Sequence, residues 1–143
     1  MPAFLFLISA AVLAFGATSR TPRAVDERST ADGVYTRGQA DAGRDVWALA
    51  CQSCHAPTQH SGPTFKANWY GRSLGELLRY LRNEMPQNEP GTLSDDEYLT
   101  LIAYLMRVNR MPPGQVPLAA DSLLLHRIRI DSLPSVPRNS SAQ

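Results

Sequence analysis

The sequence predicts a small all-α domain, and three observations carry that expectation. A stretch of helical period runs directly into Cys51-Gln52-Ser53-Cys54-His55. Two Ser-x-x-Glu capping boxes, at Ser73 and Ser94, each open a segment whose apolar residues recur at three- and four-residue steps. The cysteines are not set in a strand–helix–strand alternation. At 143 residues the chain holds one domain with flanking segments. Apolar density typical of a core is confined to residues 36–114. A unit so short is marginal unaided, so a bound apolar group would supply part of its interior.

Residues 2–17 form an apolar run, shorter than the about 20 residues of a membrane span. Small residues follow at Ala14, Gly16, Ala17 and Ser19, which offer a cleavage site. Residues 1–19 therefore read as a secretory signal peptide or an uncleaved N-terminal anchor. Both place the domain outside the cytoplasm, in the periplasm or exported, with residues 2–17 as a membrane tether if uncut. Residues 20–35 are polar without sustained period and read as a flexible linker.

From Thr36 a helix is expected, with Ala40, Gly43, Trp47 and Ala50 on one stripe. After His55 the period is lost through Ala56-Pro57. His60 is expected to be a solvent-exposed loop histidine. Phe65, Trp69 and Tyr70 are large apolar residues in a loop region, which implies that they cover something. Leu74, Leu77, Leu78 and Leu81 then mark a short helix that ends at or before Met85, because Pro86 disfavours the α conformation in the residue before it. Pro90-Gly91 is a turn. The second capped helix buries Tyr98, Leu101, Ile102, Leu105 and Val108, with Met106 as packing. Leu123-Leu124-Leu125 opens a short helix or nothing regular, and His126-Arg-Ile-Arg-Ile130 alternates like a strand. Residues 115–143 are read as a C-terminal extension, disordered from Asp131 onward.

Charge narrows the partners. The chain carries 14 Lys+Arg against 13 Asp+Glu, and Lys66 is its only lysine. No basic face for nucleic acid or anionic lipid is expected, nor docking through a ring of lysines.

The pattern Cys-x-x-Cys-His is the attachment site of a c-type haem. Thiols three residues apart lie on one side of a helical turn, where they can meet two vinyl groups of one porphyrin. His55 follows Cys51 by four and joins them. Three other readings compete: a thioredoxin-like redox pair, zinc held by Cys51, Cys54 and two of His55, His60 and His126, and an ordinary disulfide. Met85, in a loop between two helices, is placed to carry its thioether across a haem face. Met111 also precedes a proline outside a helix and is its rival.

The whole ordering resembles a class I c-type cytochrome domain over residues 36–114: helix, Cys-x-x-Cys-His, aromatic segment, leucine helix, Met-Pro, capped helix. Gly43 and Trp47 match the positions where that family crosses its first helix against an aromatic of its last, here Tyr104. Gly62-Pro63 resembles the segment whose carbonyl takes the Nδ1 proton of the proximal histidine. More narrowly, Glu84-Met85-Pro86, the run from Pro90 to Tyr98, and Ala103-Tyr-Leu105 resemble cytochrome domains associated with quinoprotein alcohol and sugar dehydrogenases. Asn109-Arg-Met-Pro-Pro-Gly114 and Ala56-Pro57 depart from that pattern without touching an iron ligand.

The resemblance implies a cytochrome c-like fold around one covalent haem c, attached through Cys51 and Cys54. Its iron would be ligated by His55 and Met85, with Pro63, Phe65 and Trp69 bearing on the cofactor. Single-electron transfer follows, with a larger redox protein such as a dehydrogenase or terminal oxidase as partner. The alternative is a haem-based sensor or peroxidase-like protein whose sixth ligand is labile.

Overall fold

A computed structural model describes residues 28–132. The signal or anchor segment at residues 1–19, the start of the expected linker and residues 133–143 lie outside the described residues.

Three helices frame the domain, each beginning where a capping box stands in the sequence. Helix α1 spans Arg37–Ala50. The Thr36 hydroxyl accepts the Gln39 amide proton while the Gln39 side chain accepts from the Thr36 amide. Two amide donors that the helix cannot satisfy internally are met this way. Helix α2 covers Gly62–Trp69, α3 Leu74–Glu84 and α4 Asp95–Val108. Ser73 with Glu76, and Ser94 with Glu97, close the caps of α3 and α4. Hydrogen bonds from the N-cap backbone and hydroxyl hold both glutamate carboxyls below the usual carboxylate range.

Helices α1 and α4 make the principal crossing. At Gly43 the backbones meet: a Cβ there would overlap the Thr100 carbonyl. Trp47 lies one turn further along α1, its ring centroid 5.7 Å from that of Tyr104. At the rim Arg107 of α4 reaches Asp41 of α1 at 2.6 Å. Helix α3 packs its leucines beneath α4, and Tyr98, Ile102, Met106, Leu74 and Leu77 are fully buried between them.

The packed unit is larger than the sequence indicates. Residues 28–35, expected as the end of a flexible linker, are folded. Arg28–Ser29 form strand β1, followed by a 3-10 turn, and Thr30, Val34 and Tyr35 are buried. The Tyr35 hydroxyl donates to the Met111 carbonyl at 2.7 Å. Gly33 backs onto Gly114 so closely that a Cβ on Gly114 would strike the Gly33 carbonyl.

The described part of the C-terminal extension, residues 115–132, is folded and closes over the same end. Gln39 brackets Leu118 by accepting from its amide and donating to its carbonyl, both at 2.8 Å. A single turn, α5 (Ser122–Leu125), leads to β2 (Ile128–Arg129), which pairs in parallel with β1. Leu118, Leu125, Ile128 and Ile130 are buried. Ile130 exchanges hydrogen bonds with the α2–α3 connection, its amide donating to Arg72 and its carbonyl accepting from Gly71. Thr30 Oγ1 donates to the Asp131 carbonyl and accepts from the Asp131 amide. The core therefore runs beyond residues 36–114 at both ends.

The aromatic loop expected after His55 is also corrected. It is a 3-10 turn at Pro57–His60 followed by α2. Phe65 and Trp69, four residues apart, form its buried face, while Tyr70 caps its end.

Candidate functional site

Helix α1 delivers the chain into the cysteine motif without a break. The Cys51 and Gln52 amides both donate to the Trp47 carbonyl, and the Cys54 and His55 amides both donate to the Cys51 carbonyl. This tight coil places both thiols and the imidazole on one cavity of about 440 Å³. Cys51 is half-buried and Cys54 exposed, and the two are not joined in a disulfide.

The remaining walls come from three helices. Phe65 and Trp69 of α2, Leu77 and Leu81 of α3, and Leu101 and Leu105 of α4 give them an apolar surface. Trp69 is held edge-on by Tyr80 at 5.3 Å. Beyond α3 the chain turns extended at Met85, with φ −134° and ψ 143°, the conformation imposed by the following proline. Met85 and Pro86 then line the same cavity as the cysteine turn. The Tyr98 hydroxyl donates to the Met85 carbonyl at 2.9 Å and fixes this exit from α3.

The four methionines separate cleanly. Met1 is outside the described residues. Met106 is fully buried in packing, as expected. Met111 is 3% exposed in the core and does not line the cavity, whereas Met85 does. Pro63 is exposed at the start of α2 and lies outside the cavity lining.

Three residues matter more than the sequence indicates. His60 is not a solvent-exposed loop histidine. Its ring lies 4.7 Å from that of His55 and 5.6 Å from that of Trp47, and its Nε2 is buried. Burial, aided by the neighbouring His55, holds its pKa below the usual histidine value, so the ring is neutral at pH 7. Asn109, just past α4, clamps this side of the site. Its amide donates to the His60 and Leu105 carbonyls and accepts from the Gly62 amide. Tyr98, read only as core, positions the Met85 backbone. Long-range hydrogen bonds of this kind leave no local periodicity to read.

The donor set fits a covalently attached porphyrin. Two thiols and an imidazole converge on a largely apolar cavity that also receives a thioether. Two buried nitrogens there, Trp47 Nε1 and His60 Nε2, have no hydrogen-bond partner among the described residues, a cost that an occupant with polar atoms of its own would relieve.

A family model described as cytochrome C oxidase, cbb3-type, subunit III matches residues 38–105, from the first turn of α1 into the last turns of α4. The match supports a c-type cytochrome domain over these residues. No curated protein and no solved structure matches the chain. A domain of this class implies covalently bound haem c, and Cys51 and Cys54 stand at the Cys-x-x-Cys-His spacing that such attachment uses; the match points to haem-based electron transfer. The narrower resemblance to dehydrogenase-associated cytochromes finds no counterpart in this match, whose description is that of an oxidase subunit.

Proposed function

We propose that the cytochrome domain is a one-electron carrier whose haem iron is ligated by His55 and Met85. The observation that carries this reading is the partition of the methionines: Met85 lines the cavity that holds Cys51, Cys54 and His55, while Met111 is sealed in the core. When bound, the haem supplies a reversible one-electron iron couple. The chain does the rest. Cys51 and Cys54 hold the group by thioether bonds, and thioether ligation through Met85 favours the ferrous state and raises the potential. Tyr98 holds the Met85 backbone, and the leucines of α3 and α4 exclude water from the cavity. Phe65 and Trp69, which line the cavity, would pack against the bound group. By the resemblance of Gly62-Pro63, a backbone carbonyl of this segment would accept a hydrogen bond from His55 Nδ1–H, a role that leaves the Pro63 side chain exposed.

In this reading the domain works in the periplasm or as an exported protein, released or tethered through residues 2–17. Its partner is a larger redox protein, a dehydrogenase or a terminal oxidase. The description of the matching family favours the oxidase.

Met85→Ala is the direct test. The ferric protein should lose the weak red-end absorption band that reports sulfur–iron bonding, its potential should fall, and the ferrous form should bind carbon monoxide. Met111→Ala should keep the wild-type spectrum but lose about 2–5 kcal/mol of stability, the usual cost of truncating a buried methionine. Spectral loss in the Met111 variant with retention in the Met85 variant would transfer the ligand role to Met111.

A further inference from the structure

The near-neutral net charge conceals a segregation that only the fold produces. Arg72 and Arg79, flanking the start of α3 and on it, and Arg127 and Arg129, from the C-terminal extension, line one recess of about 590 Å³ together with His126. The one carboxylate in its lining, Glu76, is already engaged by the Ser73 amide and by Arg72. Arg129 is paired with Asp131. Arg79 and Arg127 are exposed and have no carboxylate partner among the described residues.

Two further observations give the recess a direction. Its backbone is pinned: Ile130 is bonded to both Gly71 and Arg72, Ser73 bridges to Arg129, and the His126 ring lies against Gly75 of α3. The guanidiniums are thus presented from a rigid frame. It also adjoins the haem cavity, because the Arg72 guanidinium lies 4.6 Å over the ring of Trp69, which lines that cavity. Arg127 and Arg129 fall outside the span matched by the family model, so two of the four arginines belong to this chain's own extension.

We propose that this arginine recess is a docking site for an acidic surface on a partner redox protein, a surface presenting several carboxylates together. Planar guanidiniums match carboxylates with paired hydrogen bonds. Each exposed pair is worth little alone, so useful binding needs several engaged at once, as a surface presenting several carboxylates provides. Complementary charge of this kind chiefly accelerates and orients encounter. Here it would set the partner against the Arg72–Trp69 edge of the cytochrome. The inference rests on the electron-carrier reading for its purpose, but its binding test does not.

The test uses the holoprotein and an octaglutamate peptide as probe, followed by calorimetry and by chemical-shift changes at low ionic strength. Binding is expected to map to the arginine recess, to weaken as salt is raised, and to fall at least about tenfold in Arg79→Gln/Arg127→Gln. Arg44→Gln, on exposed α1 and paired with Asp45, should leave the affinity unchanged. Equal loss in the Arg44 variant, or none in the double variant, would overturn the proposal. So would full competition by inorganic phosphate at matched charge, which would make the recess a small-anion site. Binding to phosphatidylglycerol vesicles without binding to the peptide would overturn it in favour of a membrane surface. The ferric spectrum is recorded on the same sample: absence of the red-end band would sink the carrier reading, while the peptide titration still decides the docking site.

Discussion

Cys51→Ala/Cys54→Ala should accumulate no covalent haem at all. The two thiols are the chain's only cysteines, and both line the cavity beside His55, so no other side chain can form a thioether. With His55 and Met85 intact, some haem could still be held by coordination, but acid-acetone should extract it completely. Cys54→Ala alone keeps the half-buried Cys51 and should retain haem by a single bond, with lower thermal stability. The consequence extends beyond colour, because the cavity walls contributed by α2, α3 and α4 use the porphyrin as shared interior. Loss of the bound group removes its mass-action stabilisation of the folded state. Haem that resists extraction in the double variant would overturn the covalent assignment.

Gly43→Ala should be among the most damaging single substitutions outside the haem site. The added methyl group has no space, since it would overlap the Thr100 carbonyl at the α1–α4 crossing. Backbone cannot rotate aside as a side chain can, so the helices must separate and the Trp47–Tyr104 contact with them. Overpacking of this kind costs about 3 kcal/mol, which for a domain of this size lowers the melting temperature by on the order of 15 °C. Gly38 supplies the control on the same helix. A Cβ there meets nothing within 4 Å, so Gly38→Ala should be neutral or stabilise by about 0.5 kcal/mol through helix propensity. Thermal unfolding of the two holoproteins checks the pair, and similar melting temperatures would mean that the crossing is looser than described.

Legibility in the sequence followed the range of the interaction. Helices α1, α3 and α4 begin at Thr36, Ser73 and Ser94, where a capping side chain and its reciprocal partner lie three residues apart. The end of α3 at Met85 follows from Pro86 in the same local way. Helix α2 has no side-chain cap and begins with Gly62-Pro63, so it reads as a loop. Its one signal was the four-residue spacing of Phe65 and Trp69. The pairing of β1 with β2 joins residues about a hundred positions apart through two-residue strands, and nothing local announces it, although the alternation through Ile128 and Ile130 is visible.

The site divides along the same line. Cys51, Cys54 and His55 form a contiguous motif, and Met85 is marked by its proline. His60, Asn109 and the arginine recess depend on segments that meet only in the fold. Net charge misled for that reason: a chain at +1 can still gather four arginines on one face.

The most direct measurement is exposure of the ferrous wild-type protein to carbon monoxide, with the ferric spectrum recorded beforehand. If His55 and Met85 fill both axial positions, the ferric form shows the red-end sulfur–iron band and the ferrous spectrum does not change when the gas is added. Immediate formation of a carbon monoxide complex, with no such band in the ferric form, would show an open or labile sixth position. That outcome would contradict the electron carrier and leave a haem-based sensor or peroxidase in its place.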